Sequence, residues 1–401
     1  MRFIVIGITD SPRPWFPPEV MAIIRKGQVF SGGRRHHDIV RALLPAGAKW
    51  IDITVPLDTV FDQYRMVIAE DIIVFASGDP LFFGFANTIR SRIPEADIVL
   101  YPAFNSLQML AHRLLLPYHD MHIVSLTGRP WPELDRALIE QKEKIGVLTD
   151  REHTPSAIAR RLIDYGYENY QMYVGEHLGN PLCEHISTLT LQEAANQTFD
   201  TPNSLILHKK EDSKPTPFGI PDTDFSLLNG REKMITKMPI RLLTLQALDL
   251  RRRHTMWDIG FCTGSISIEA RLQFPHLQVE AFEVRPECEA IIRENAHRHG
   301  APGIGVHIGD FRSICCDGLF PPDAVFIGGH GGHLKEIMAK VLCHLQPGGI
   351  IVMNSVKAPK VLTDSLQLWD EACRELGLTQ EPPLHIQLND HHPITILKCK
   401  R

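Results

Sequence analysis

Met256-Trp257-Asp258-Ile259-Gly260-Phe261-Cys262-Thr263-Gly264-Ser265 decides how the second half of this chain folds. An apolar run enters a turn with glycines at 260 and 264, and the chain leaves it along Ile266–Phe274 with helical periodicity. A strand that passes through such a turn into a helix brings backbone N–H groups to a ligand where the helix begins. Glu283 ends the next strand-like run, where a carboxylate can accept hydrogen bonds from both hydroxyls of a ribose. Asp310 ends the run after that, within reach of an adenine edge. The dinucleotide fingerprint needs glycines at 262 and 265, and these are Cys262 and Ser265, so nicotinamide and flavin binding are disfavoured.

Outward from this turn, strands are predicted at Thr255–Ile259, Val279–Glu283, Gly305–Ile308, Ala324–Ile327 and Ile350–Asn354, with helices between them. Two final runs, His385–Leu388 and Ile394–Lys398, leave no room for a crossover helix and must pair antiparallel. The first half repeats the α/β alternation. Strands are predicted at Phe3–Ile8, Trp50–Val55, Ile72–Ala76, Ile98–Tyr101, Ile123–Leu126, Ile145–Thr149, Gln171–Val174 and Ser204–Leu207. Helices fit Pro17–Lys26, His36–Leu44, Leu81–Arg92, Ser106–Leu115, Pro132–Lys142 and Thr154–Tyr165. Between Lys209 and Asn229 charge and proline replace periodicity, which reads as a linker between domains at 1–208 and 230–401.

The 401 residues exceed one ordinary core, in agreement with two domains. A net charge of −5 argues against a general nucleic-acid binder, although Arg34-Arg35-His36-His37 and Arg251-Arg252-Arg253-His254 are local basic patches able to face an anionic substrate. No apolar run is long enough to span a bilayer and no cleavage site follows the first strand, so a cytoplasmic protein without membrane association is expected. Eight scattered cysteines without a CxxC pair suggest free thiols. His330-Gly331-Gly332-His333 is read as a glycine-rich loop beside the substrate, with no metal.

The D-x-G-x-x-x-G turn of Asp258, Gly260 and Gly264 resembles motif I of the Rossmann-like class I S-adenosylmethionine methyltransferases. With Met234-Ile235-Thr236-Lys237-Met238-Pro239-Ile240-Arg241 and Val325-Phe326-Ile327-Gly328-Gly329, the second half is similar to the corrin-pathway C15 methyltransferase/decarboxylase family. Cys262 departs from that family's glycine or other small residue. In the first half, Ser77-Gly78-Asp79-Pro80-Leu81 and Pro102-Ala103-Phe104-Asn105-Ser106 resemble loops of the tetrapyrrole (class III) methylases, which are built from two α/β subdomains. Ser125-Leu126-Thr127-Gly128-Arg129 and Gly175-Glu176-His177-Leu178-Gly179 are similar to the C5 methylase branch. In the turn Gly7-Ile8-Thr9-Asp10, Thr9 stands where that branch has a second glycine.

These resemblances imply methylation of a precorrin or cobalt-precorrin macrocycle at carbons 5 and 15, with decarboxylation of an acetate, from two S-adenosylmethionine sites per chain. They also imply a homo-oligomer. The residues they point to for the cofactor are Gly78, Asp79, Pro80, Leu81, Asn105 and Ser106 in the first half. In the second half they are Thr236, Asp258, Gly260, Phe261, Cys262, Thr263, Gly264, Glu283 and Asp310. The substrate carries many carboxylates, and Lys237, Arg241 and Arg129 are the candidate clamps. A methyltransferase acting on RNA or protein, and a non-catalytic S-adenosylmethionine sensor, are the competing readings.

Overall fold

A computed structural model describes residues 1–67, 71–212, 217–231, 234–356, 365–388 and 393–401. The chain divides into two compact units. The first comprises Met1–Pro130, Lys142–Arg161 and Asn169–Asp212, and the second comprises Trp131–Gln141, Leu162–Glu168 and Ser213–Arg401.

The first unit holds two sheets. Strands β1 (Arg2–Ile8), β2 (Val29–Gly32), β3 (Lys49–Asp52), β4 (Ile72–Ser77) and β5 (Asp97–Tyr101) form an all-parallel sheet in the order β3-β2-β4-β1-β5. Covered on both faces, β1 and β4 read as continuous apolar runs, as inner parallel strands do. Phe3, Val5 and Val74 enter one core layer, and Ile4, Ile6, Ile73 and Phe75 enter the other. Strands β6 (His122–Ser125), β7 (Lys144–Leu148), β8 (Tyr170–Glu176), β9 (His185–Leu189) and β10 (Asn203–Lys209) form a mixed sheet, ordered β6-β7-β10-β8-β9, in which only β6 and β7 are parallel.

The second unit contains one sheet. Its strands are β11 (Thr255–Ile259), β12 (Gln278–Glu283), β13 (Ile304–Ile308), β14 (Ala324–Ile327), β15 (Ile350–Val356), β16 (Thr379–Gln380), β17 (Leu384–Ile386) and β18 (Ile394–Lys400). The order is β13-β12-β11-β14-β15-β18-β16, and β17 also pairs with β18. The first five are parallel, and β18 runs antiparallel to β15 and β17, as the missing crossover requires. Trp257, Ile259, Val325 and Ile351 face one core, while Met256, Phe326, Ile350 and Val352 face the other. Burying each such side chain contributes about 1.5–3 kcal/mol.

Two sequence expectations are corrected here. The helix predicted from Leu81 begins at Phe85, because Phe83 takes a left-handed φ of 53° and Gly84 caps the helix. The segment read as linker is partly structure. Its residues 213–216 lie outside the described residues, but Ile220, Phe225 and Leu228 are buried, and the amides of Gly219 and Ile220 donate to the Glu269 carboxylate at 3.0 Å each. Apolar residues spaced irregularly along an extended chain carry no periodic signal, so the sequence pattern missed this packing.

Candidate functional sites

In the second unit, β11 delivers Asp258 to the floor of a cleft of about 540 Å³ at the carboxyl ends of the parallel strands, the usual ligand position in open α/β sheets. Gly260 (φ 81°) and Gly264 (φ 75°) stand where a side chain would not fit. A Cβ on the first would lie 2.8 Å from the Gly329 nitrogen, and one on the second 2.3 Å from Ile292 Cγ1. Between them Cys262 also turns left-handed, with φ 51°. That conformation costs a residue with a side chain roughly 1–2 kcal/mol, so the departure from glycine bears on the backbone more than on the space.

Asp258 is fully buried. The Ser267 hydroxyl donates to its Oδ2 at 2.6 Å, while Oδ1 has no partner. Burial pushes this carboxyl up to about 7, the Ser267 hydrogen bond opposes the shift and the Glu283 charge adds to it. Glu283 is buried as well, yet its carboxyl lies below the usual range. Burial alone would raise it, and the hydrogen bonds and charge of Arg285, with the Arg285 and Cys262 amides, outweigh that. Arg285 grips it through Nε to Oε1 at 3.0 Å and a terminal nitrogen to Oε2 at 2.7 Å. The Cys262 amide donates to Oε2 at 3.0 Å. Asp310 also lines the cleft, and Arg312 forks onto it and holds its carboxyl near 2.

Thr236, Phe261, Thr263 and Cys262 line this cleft together with Asp258, Gly260, Glu283 and Asp310, whereas Gly264 shapes the turn behind it. His330 and His333 line it too, as a substrate-side loop would. The clamp reading of Arg241 does not hold. This residue is fully buried and donates from Nε to Glu269 at 3.1 Å and from a terminal nitrogen to the Thr236 carbonyl at 2.9 Å. It also donates to the Ile220 carbonyl and to Asp222. Its donors are occupied, and what it does is hold Thr236 in place. Lys237 is not part of the cleft wall either, and its Nζ lies 3.7 Å from Asp222. The Arg251–His254 patch precedes β11, at the opposite end of the strand from the cleft, and there Asp323 accepts from the His254 amide.

In the first unit a second cleft, of about 510 Å³, opens over the ends of β1 and β4. The loops interlock. The Gly78 amide donates to the Ile8 carbonyl at 2.8 Å, and the Ala103 amide donates to the Gly78 carbonyl at 3.2 Å. Gly78 has φ 58°, and a Cβ there would lie 2.7 Å from Asn105 Cα. Asn105 caps the helix Ser106–Arg113 by accepting from the Gln108 amide at 2.9 Å. Gly78, Asn105 and Ser106 line the cleft. Asp79, Pro80 and Leu81 form the turn, where Asp79 accepts from the Leu81 amide at 2.8 Å, and the wall is made instead by Phe82 and Phe83. Arg129 sits with its guanidinium 4.9 Å from the centre of the Phe83 ring, outside that wall. Asp10, Arg35 and His36 line the cleft, so the Arg34–His37 patch does contribute to a site.

Both clefts are in the size range of small-molecule sites, and the carboxylate acceptors of the second-unit cleft suit one ligand type. The unpartnered, buried Asp258 oxygen fits an ammonium, Glu283 fits a diol, and the glycine turns admit close backbone approach. A family model for the precorrin methyltransferase domain matches residues 229–377, and one for tetrapyrrole (corrin/porphyrin) methylases matches residues 2–195. The precorrin-6Y C(5,15)-methyltransferase [decarboxylating] of a Sinorhizobium species is 32% identical over 353 residues, which span 88% of this chain and 84% of that protein. The chain belongs to the precorrin-6Y C5,15-methyltransferase (decarboxylating) family.

Members of the precorrin-6Y C5,15-methyltransferase family are S-adenosylmethionine-dependent enzymes of cobalamin biosynthesis that methylate a precorrin at carbons 5 and 15 with decarboxylation. Single-domain proteins match the halves separately. The cobalt-precorrin-6B C(15)-methyltransferase (decarboxylating) of Salmonella typhimurium is 34% identical over 185 residues, 44% of this chain and 95% of that protein. The cobalt-precorrin-7 C(5)-methyltransferase of the same organism is 25% identical over 175 residues, 43% of this chain and 84% of that protein. Among the described residues, no helix is long and apolar enough to cross a membrane.

Proposed function

We propose that the first half of this chain methylates carbon 5 of a precorrin-type macrocycle and that the second half methylates carbon 15 and releases carbon dioxide, each with its own S-adenosylmethionine. The domains are read as 1–208 and 230–401, with packing of the intervening segment against the second. The observation that carries the reading is the pair of separate clefts, each at the carboxyl ends of parallel strands and each closed by glycines whose Cβ atoms would collide with backbone or core. The two halves match single-domain relatives named for the two reactions, which supports the division.

S-adenosylmethionine supplies a methyl group already activated on sulfur, so the protein aligns, desolvates and positions. In the second cleft Asp258 would hold the ammonium, and Glu283 would accept from the ribose hydroxyls. The Phe261–Thr263 backbone, which lines the cleft, would hold the methionine portion. Gly78, Asn105 and Ser106 serve the first cleft. Arg35, which lines that cleft, and Arg129, over the Phe83 ring of its wall, are the candidate cations for substrate carboxylates. The free state of all eight cysteines suits the cytoplasm. A homo-oligomer belongs to the same reading.

Two variants test it. Glu283→Ala removes an acceptor of buried donors and is expected to weaken cofactor binding in the second cleft by about 1–3 kcal/mol, leaving a product methylated only at carbon 5. Gly78→Val fills the first cleft's loop junction and is expected to leave a product that is decarboxylated and methylated only at carbon 15. Calorimetry with S-adenosylhomocysteine should record two binding events in the parent and one in Gly78→Val. A single event in the parent, or equal loss of both methylations in either variant, would refute the two-site reading.

A further inference from the structure

At the first cleft, Asp10 joins two groups to which the proposed cofactor contacts assign no role. Its Oδ1 accepts from Arg35 at 2.5 Å, and its Oδ2 lies 3.0 Å from His177 Nδ1. A carboxylate only accepts, so Nδ1 carries a proton, and in the neutral imidazole Nε2 is then the nitrogen with the lone pair. His177 lies directly after β8 in a loop fixed to the cleft wall. Its amide donates to the Pro202 carbonyl at 2.9 Å, and Pro202, Gly175, Leu178 and Asp10 all line the cleft. Its backbone is left-handed at φ 49°, a strained conformation for a residue with a side chain.

Methylation of a ring-bridging carbon leaves a chemical requirement. When carbon 5 gains its methyl it still bears its original hydrogen, and the ring has given up an electron pair. Conjugation returns when the C5–H bond breaks, its electron pair goes back to the ring and the proton passes to a base. One proton is released for each methyl transferred. Building on the assignment of carbon 5 to this half, we infer that His177, oriented by Asp10, is the base that accepts that proton.

His36 is the imidazole that lines the cleft, whereas His177 adjoins the wall through Asp10, Gly175 and Leu178, and His36 is unsuited. His36 Nδ1 accepts from the Gly33 amide at 3.2 Å, and its Nε2 is engaged with Ser77 Oγ at 3.0 Å. Burial first, and then the Arg35 charge, push it down to about 4. A metal centre is the other arrangement to weigh, because ligand atoms of Asp10, His177 and Cys183 lie within 4.8 Å of one another. Arg35 argues against it, since its guanidinium already holds Asp10 where a divalent cation would sit beside it. The Cys183 thiol is also pushed up, by desolvation and then by the charges of Asp10 and Asp200, which disfavours a thiolate ligand.

His177→Gly in the full chain is the informative variant, because glycine suits the positive φ and leaves room for added imidazole. The expected result is a fall in carbon 5 methylation of about 100-fold or more, restored in part by imidazole. S-adenosylhomocysteine binding should stay within about twofold, and carbon 15 methylation and decarboxylation by the same chain should be unchanged. Asp10→Asn tests the positioning role. It should lower kcat for carbon 5 with KM for the macrocycle held, without rescue by imidazole. Undiminished carbon 5 methylation in His177→Gly, a fall that imidazole does not relieve, or loss of cofactor binding would each overturn the assignment. So would zinc bound by the parent chain and lost in Cys183→Ser. A fall in carbon 15 methylation instead would show that the division between the halves is wrong, independently of the base.

Discussion

The Asp258 carboxyl, pushed up to about 7 and with one unpartnered buried oxygen, makes the second cleft sensitive to pH. A cationic ligand favours the ionised form of Asp258, and the empty cleft favours the neutral one. Cofactor affinity in that cleft should therefore rise with pH through about 7, at roughly tenfold per unit below it, and level off above. Calorimetry with S-adenosylhomocysteine between pH 5.5 and 8 checks this, and Asp258→Asn should flatten the curve. The sequence made Asp258, Gly260, Glu283 and Gly78 legible, because a turn with glycines at fixed offsets and a strand-end acid follow from backbone geometry. It did not make Arg241 legible. A cation in the first turn of a helix reads as a surface group unless its buried partner is known, and Glu269 lies far along the chain. The Asp10–His177 pair was hidden for the same reason, although both residues stand in segments that the sequence singled out.

Among the elements, the helix Met238–Ala247 carries the most consequential polar contact. Arg241 on it and Glu269 on the helix Ser265–Gln273 are both fully buried, and their partners include the Thr236 carbonyl and the amides of Gly219 and Ile220. Removing one member leaves a buried charge unpaired. Arg241→Met should destabilise the second unit by about 3–5 kcal/mol, read as a lower urea midpoint, and should loosen Thr236 at the cleft. Long elements with strong periodicity were legible, and the five parallel strands of the second sheet fall within two residues of expectation. Short ones were not. The strands Val29–Gly32 and His185–Leu189 and the helix Asp58–Arg65 went unread. Ser31 and Gly32 imitate a loop, and His185–Leu189 is a half-exposed edge strand with little apolar content. Pairing partners distant in sequence, not local preference, make these segments regular.

For the whole molecule, the fact that matters is that two clefts with no lining residue in common stand on one polypeptide. Their ratio is fixed at synthesis, so a change in expression scales both reactions together, and only damage inside one cleft unbalances them. An equimolar mixture of Gly78→Val and Glu283→Ala chains should therefore rebuild the fully methylated, decarboxylated macrocycle, passing through a once-modified product that leaves one chain and enters another. Mass spectrometry of the products checks this, and failure of the mixture would mean that the intermediate stays with the chain that made it. In genetic terms, two defective alleles with lesions in different clefts would restore each other in a heterozygous cell. Two alleles with lesions in the same cleft would not. A single gene would then behave in crosses as two complementation groups.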